Sequence, residues 1–176
     1  MADSPHEHSS TQVQLPDDIA AAIKRFHIKP EHLGEEGREK DPHVTVRYGL
    51  HADDPDVVRD KLKDETRGEA RLGKTSLFQN DDADVLKVDV NSPDLHRLHE
   101  KLGSLPHTDT HPDYHPHATI AYLRPGTGRH YEGKEVPGAT GETAPIHSVR
   151  FSSKHGDKAD IHLSPAGRYR SYRAAK

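Results

Sequence analysis

The sequence predicts an α+β fold built as two lobes that face one another. Three observations predict it. A seven-residue pattern occurs twice, at Pro42-His43-Val44-Thr45-Val46-Arg47-Tyr48 and at Pro116-His117-Ala118-Thr119-Ile120-Ala121-Tyr122, which sets the two histidines 74 residues apart. Both copies are rich in β-branched and aromatic residues and read as strands. In each half a helix precedes the motif strand. Two copies are too few for a solenoid, which needs at least three, so a duplicated pair of lobes fits better. A chain of 176 residues also suits one domain on the usual scale of about 100–200 residues.

The elements follow in order. Met1 to Ser10 is polar and is expected to be a disordered tail carrying His6 and His8. Thr11 to Leu15 reads as a short strand with Val13 and Leu15 on one face. Pro16, Asp17 and Asp18 then open a helix, because Pro suits the first turn and acids suit its positive end. Ile19, Ile23 and Phe26 form its buried stripe. His27 to Asp41 is charged and Gly-containing, and reads as a loop. Pro42 to Leu50 is the first motif strand.

Asp54-Pro55-Asp56 starts a second helix, with Asp54 as cap and Val58 and Leu62 as its stripe. Glu69 to Gln79 and Asp84 to Val90 form a hairpin around the turn residues Asn80-Asp81-Asp82. Ser92-Pro93-Asp94 starts a third helix, and Leu95, Leu98, Leu102 and Leu105 make the clearest amphipathic stripe of the chain. A His-rich loop from His107 to His115 leads into the second motif strand. Pro125-Gly126-Thr127-Gly128 breaks that strand, and Arg129 to Thr143 reads as a long surface loop. Ile146 to Ser153 and Lys158 to Leu163 form a last hairpin. The basic segment 164–176 is expected to be a loose tail, which leaves 11–163 as the single bilobal domain.

Composition narrows the function. The formal net charge is −4 with His neutral, which argues against a coat for extended nucleic acid and leaves room for a small phosphate-bearing ligand. The sequence has no Cys, so disulfides, thiolate chemistry and Cys-based zinc sites are excluded. No apolar run approaches a membrane span and no signal peptide is apparent, so a cytoplasmic location and no membrane partner are expected. Histidine is the oddity, at 16 of 176 residues.

Strand alternation places His43, Thr45 and Arg47 on one face and Val44, Val46 and Tyr48 on the other. The second copy likewise sets His117 and Thr119 opposite Ala118, Ile120 and Tyr122. Each copy therefore offers an imidazole and a hydroxyl side by side, backed by an apolar row. Two facing histidines suit proton transfer at a phosphodiester, one as base for the attacking oxygen and one as acid for the leaving oxygen. The hydroxyls of Thr45 and Thr119 are placed to donate to the non-bridging oxygens, where charge builds up. This chemistry requires no metal and no other cofactor.

The paired His43-x-Thr45 and His117-x-Thr119 motifs resemble the signature of the 2H phosphoesterase superfamily, also called the LigT-like or 2′-5′ RNA ligase family. The resemblance covers about Thr11 to Leu163. The wider context, from Pro42 to Leu50 and from His117 to Tyr122 with Pro125-Gly126-Thr127-Gly128 after it, most resembles the phage-associated branch, which includes anti-CBASS nucleases that degrade cyclic oligonucleotides. The resemblance implies a bilobal fold, with two small antiparallel sheets related by a pseudo-two-fold around a central cleft and helices outside. It implies His43 and His117 as the acid–base pair, Thr45 and Thr119 as phosphate ligands, and a metal-independent reaction on a small nucleotide or oligonucleotide. The motifs do not say which imidazole is the base. Arg47, Phe78 and Tyr114 are the candidates for substrate contact, whereas alternation turns Tyr48 and Tyr122 away from the histidines. Three alternatives stay open: a 2′-5′ ligase or RNA-end-processing enzyme of the same family, a metal-binding protein using the 107–117 loop, and a nucleotide-binding module without catalysis.

Overall fold

The computed structural model describes residues 7–109 and 113–165. His6, His111 and the greater part of the C-terminal tail lie outside the described residues. The elements in chain order are β1 (Ser9–Gln14), α1 (Asp17–Lys24), β2 (Leu33–Arg38), β3 (His43–Leu50), α2 (Pro55–Leu62), β4 (Gly68–Gln79), β5 (Asp84–Asn91), α3 (Pro93–Leu102), β6 (His117–Leu123), β7 (Thr143–Ile146), β8 (Ser148–Ser152) and β9 (Lys158–His162). Short 3-10 turns lie at Pro30–His32 and Gly128–Tyr131.

The strands form two antiparallel groups. One runs β9-β8-β1-β3 and the other β7-β4-β5-β6. They join between the two motif strands through one residue pair, Val44 with Ala118. These two residues hold the same place in the two copies of the motif, so the pseudo-two-fold passes through their pairing. The two expected sheets are thus two halves of one curled sheet. Each half is a strand–helix–motif-strand unit, β1-α1-β3 or β5-α3-β6, widened by an outer pair of strands.

The helices start where capping chemistry places them. The Asp54 side chain accepts from the Asp56 amide, and the Ser92 hydroxyl accepts from the Leu95 amide at 3.0 Å. Leu95, Leu98 and Leu102 of α3 are fully buried against the sheet, together with Val44, Val46, Leu86, Val88 and Ile120. The fourth leucine of the stripe, Leu105, lies past the helix end at Gly103 and is only partly buried.

Four expectations are corrected. His27 to Asp41 is not all loop, because β2 pairs with the end of β6. Its sequence, Leu-Gly-Glu-Glu-Gly-Arg, has no apolar alternation; the free edge of β6 is what makes it a strand. The β1 strand begins at Ser9, so Ser9 and Ser10 belong to the sheet and not to the tail. The segment 146–153 is split at His147, with β7 on β4 and β8 on β1. Ser164 is tied down as well: its amide donates to Glu65 O at 3.0 Å and its carbonyl accepts from Arg67 N at 2.8 Å.

The segments that lead into the motif strands are exchanged. β2, which precedes β3, pairs with β6. The stretch before β6 pairs with the end of β3: His107 bridges Leu50, Thr108 N donates to Gly49 O at 2.9 Å, and His51 N donates to Pro106 O at 3.1 Å. Gly49 makes this close approach possible. Its φ is +91°, and a Cβ there would lie 2.1 Å from Thr108 O. Gly49→Ala is expected to cost about 2–4 kcal/mol in chemical denaturation, whereas Gly133→Ala, at φ +74° with open space around it, is expected to cost only about 1–2 kcal/mol.

Candidate active site

The Val44–Ala118 pair buries both of its side chains, so their neighbours in sequence project the other way, into the cleft between the lobes. The antiparallel sense of the pair turns His43 toward the Thr119 side and Thr45 toward the His117 side. The structure therefore brings His43, Thr45 and His117 together along one cleft of about 1430 Å³, while Thr119, next to the lining residue Lys87 in the ladder, does not border the open volume.

The two imidazoles are held alike. His43 Nδ1 lies 2.8 Å from Asp41 O, and His117 Nδ1 lies 2.8 Å from His115 O. A carbonyl can only accept, so each Nδ1 carries the proton and each Nε2 is left for the cleft. In both cases the carbonyl belongs to the residue two positions earlier. It is presented by the Pro that starts each motif, Pro42 or Pro116.

Strand alternation fails at one place in each motif strand. Between β1 and β3, Thr11 pairs with Arg47 but the next residue, Gln12, pairs with Thr45. Between β5 and β6, Leu86 pairs with Ala121 but Lys87 pairs with Thr119. The extra residues are Val46 and Ile120, the same position in the two copies. Each is a β-bulge, which puts two consecutive residues on the buried side and shifts everything after it to the opposite face. The bulge carbonyls find donors from the other lobe: Ile120 O accepts from Glu39 N at 2.9 Å, and Val46 O accepts from His99 Nδ1 at 2.7 Å.

The bulges correct the expected faces. Tyr48 and Tyr122 do not point away from the histidines; both border the cleft. Arg47 leaves the His43–Thr45 row and is buried, with 8% of its surface exposed. Its Nε donates to His99 O at 3.0 Å, its Nη2 to His99 Nε2 at 2.9 Å and its Nη1 to the Asp109 carboxylate at 2.8 Å. The guanidinium thus satisfies a carbonyl in the last turn of α3, where a cation is favoured. A Cβ at Gly103 would lie 2.7 Å from its Nη2, so glycine at the helix end lets the guanidinium sit there without shifting.

Phe78 is exposed at 48% and borders the cleft from β4. Tyr114 also borders it, but its hydroxyl donates to Thr45 O at 2.7 Å and its ring stacks on His99 with centroids 4.0 Å apart. Burial pushes the Tyr114 phenol well above its usual range. Among the described residues no group of three or more His, Asp or Glu side chains is disposed to hold a metal ion.

Register brings further residues beside the motifs. Across one lobe the row level with the bulge runs Thr45, Gln12, Arg150, and across the other Thr119, Lys87, Ser76. Lys87 Nζ donates to Ser76 Oγ at 2.6 Å and lies 3.1 Å from the Asp89 carboxylate, which also accepts from Ser76 Oγ at 2.6 Å. Asp89 pairs with His117 across the strands. The signal for these residues was the alternation of Lys87 and Asp89 in β5, but only the pairing with β6 sets them beside the motif.

This lobe is electrostatically distinct. The His117 imidazole is held below its ordinary pKa, chiefly by burial and then by Lys87 and His43, against the raising effects of His115 O and Asp89. Burial likewise lowers His99. Burial, Glu39 and Glu36 raise the Tyr122 phenol, and the Thr119 hydroxyl opposes them.

A family model for the 2′-5′ RNA ligase superfamily matches residues 15–157. The chain belongs to that superfamily, the 2H phosphoesterases, whose enzymes act on phosphodiester bonds. The fold agrees. E. coli LigT complexed with 3′-AMP is 14% identical, covering 92% of this chain and 99% of its own with a TM-score of 0.60. TT0787 of Thermus thermophilus is 18% identical, covering 88% and 95% with a TM-score of 0.57. A structure titled phosphoesterase is 14% identical, covering 89% and 98% with a TM-score of 0.60. No curated protein matches the chain. Among the described residues no helix is long and apolar enough to cross a membrane.

Two pH effects follow. His99 and His117 bind protons less tightly when folded than when unfolded, so the unfolded chain takes up more protons as pH falls through about 6.5. Stability is therefore expected to fall on acidification from about pH 7.5 to about 5.5 in urea denaturation, and less steeply in His99→Gln. Followed by NMR, the His117 imidazole is expected to titrate at higher pH in Lys87→Met and at lower pH in Asp89→Asn.

Proposed function

We propose that the protein is a metal-independent phosphodiesterase that hydrolyses a small nucleotide phosphodiester by two-histidine acid–base catalysis. The observation that carries this reading is the matched pair of imidazoles. Each has Nδ1 anchored on the carbonyl two residues before it and Nε2 left for the same cleft, which Thr45 also borders.

In the proposed reaction a diester phosphate lies over the Val44–Ala118 pair. Its non-bridging oxygens accept from the Thr45 and Thr119 hydroxyls. The neutral imidazole takes a proton from water as the water oxygen bonds to phosphorus. The imidazolium gives its proton to the leaving oxygen as the P–O bond breaks. One proton enters the pair and one leaves it, so the pair ends with the roles exchanged and resets through solvent. Burial and Lys87 disfavour a charged His117. We therefore take His117 as the base and His43 as the acid.

A cleft of about 1430 Å³ exceeds the roughly 300–1,000 Å³ of ordinary small-molecule sites, which favours a substrate larger than a mononucleotide. Tyr48 and Tyr122, one at each side, supply flat faces for two bases. A small cyclic oligonucleotide fits this best, as the likeness of the motif context to phage-associated members implies, with an RNA 2′,3′-cyclic end as the smaller candidate. E. coli LigT has been solved with 3′-AMP, NADP+ and ATP, which supports a nucleotide as the class of ligand. We place this activity in the cytoplasm.

The test is turnover of cyclic mono-, di- and trinucleotides in the presence of EDTA. Activity should survive EDTA, and loss on chelation would overturn the mechanism. His43→Ala and His117→Ala are each expected to lower kcat by about 10²–10⁴-fold. A nucleotide 4-nitrophenyl diester, whose leaving group needs no proton, should restore most of the rate of His43→Ala but not of His117→Ala. The opposite pattern would reverse the acid and base assignments.

A further inference from the structure

Beyond the bulges the two lobes present pseudo-equivalent rows to the cleft, and these rows differ in chemistry. Tyr122 of β6 pairs with Val85 of β5, and Val85 pairs with Phe78 of β4. Tyr48 of β3 pairs with Ser10 of β1, Ser10 with Ser152 of β8, and Ser152 with Lys158 of β9. All seven residues border the cleft. One row is therefore aromatic and apolar throughout. The other begins with a ring, continues through two hydroxyls and ends on a cation.

The cation is available for a ligand. Of the Lys and Arg residues that border the cleft, Arg47 is spent on Asp109 and His99, and Lys87 on Asp89 and Ser76. Lys158 is exposed and has no ion-pair partner among the described residues. It starts the outermost strand, three strand spacings or about 14 Å from β3. The apolar row has no fourth member, because β7 pairs only with the Gly68–Arg71 end of β4.

We propose that the β1-β8-β9 face is a second phosphate subsite, in which Lys158 with Ser152 and Ser10 holds a phosphate about one nucleotide beyond the diester that is cleaved. The inference rests on the phosphodiesterase reading and specifies its substrate. The Phe78–Val85–Tyr122 shelf takes a base on one side of the scissile diester. The hydroxyl and ammonium row takes a sugar phosphate on the other. Such a site selects oligonucleotides over mononucleotides and over uncharged phosphodiester substituents, and it gives the cleft a direction.

The experiment compares a dinucleoside monophosphate with its 5′-phosphorylated and 3′-phosphorylated forms. For the wild type, one terminal phosphate is expected to raise kcat/KM by about tenfold or more, with the gain shrinking as salt is added. Lys158→Gln should abolish that gain while leaving the rate on the unphosphorylated diester within about twofold, since Lys158 holds no other element in place. Equal turnover of the three diesters by the wild type would overturn the subsite, as would a Lys158→Gln variant that keeps the gain. Titration calorimetry of the same ligands on His43→Ala reads the subsite without turnover. If the wild type cleaves neither these diesters nor the cyclic nucleotides, the phosphodiesterase reading fails. If it cleaves them but calorimetry shows no preference for the terminal phosphate, only the subsite fails.

Discussion

One backbone pairing, Val44 with Ala118, holds the site together. It is the single ladder contact between the two motif strands, and it lies on the pseudo-two-fold. Both side chains are buried, at 1% and 0% exposure, so the strands approach through small or β-branched apolar groups and turn their polar neighbours to the cleft. One pair is a weak joint. The fold reinforces it by exchanging the entry segments: β2 closes on β6, and the 106–108 stretch closes on β3. Each lobe thereby positions the other's motif strand. A change of tilt between the lobes would have to break backbone hydrogen bonds on both sides of the dyad.

The bulges at Val46 and Ile120 answer a conflict between core and cleft. A regular strand would bury every second residue and leave the tyrosines on the core side. Inserting one residue lets each strand bury two apolar neighbours in a row and then return an aromatic ring to the cleft. The inserted residue leaves a carbonyl outside the ladder, and in both lobes the opposite lobe supplies its donor. The twofold likeness ends there. Where one lobe places Gln12 beside Thr45, the other places Lys87 beside Thr119, within a network that includes Ser76 and Asp89. Burial first, and then Lys87 and His43, hold the His117 imidazole in this lobe below its ordinary pKa.

Four histidines outside the motifs serve as hydrogen-bond links, whereas His27, His96, His115, His130, His147, His155 and His162 are exposed. His99 links Val46 O to the Arg47 guanidinium and stacks under Tyr114. His107 Nδ1 caps Leu105 O, His51 meets the Thr108 hydroxyl, and His32 meets the Tyr131 hydroxyl at 2.6 Å. An imidazole can donate at one nitrogen and accept at the other, which suits the exchanged segments, where carbonyls and donors from two chains of hydrogen bonds meet.

The sequence by itself determined the repeat, the three helices and most of the strands, because periodicity, caps and turn residues are local properties. It also marked out His43, Thr45, His117 and Thr119, since a residue and its second neighbour share a face before any bulge intervenes. Only the tertiary structure decided what lies past the bulges. A bulge is a mismatch in length between two paired strands and leaves no trace in either strand alone. Arg47 therefore went to the end of α3, and Tyr48 and Tyr122 came to the cleft. The same holds for β2, which is a strand only because β6 offers it an edge. It holds for Lys87, Asp89, Ser10, Ser152 and Lys158, whose neighbourhood with the motifs is set by register between strands far apart in the chain.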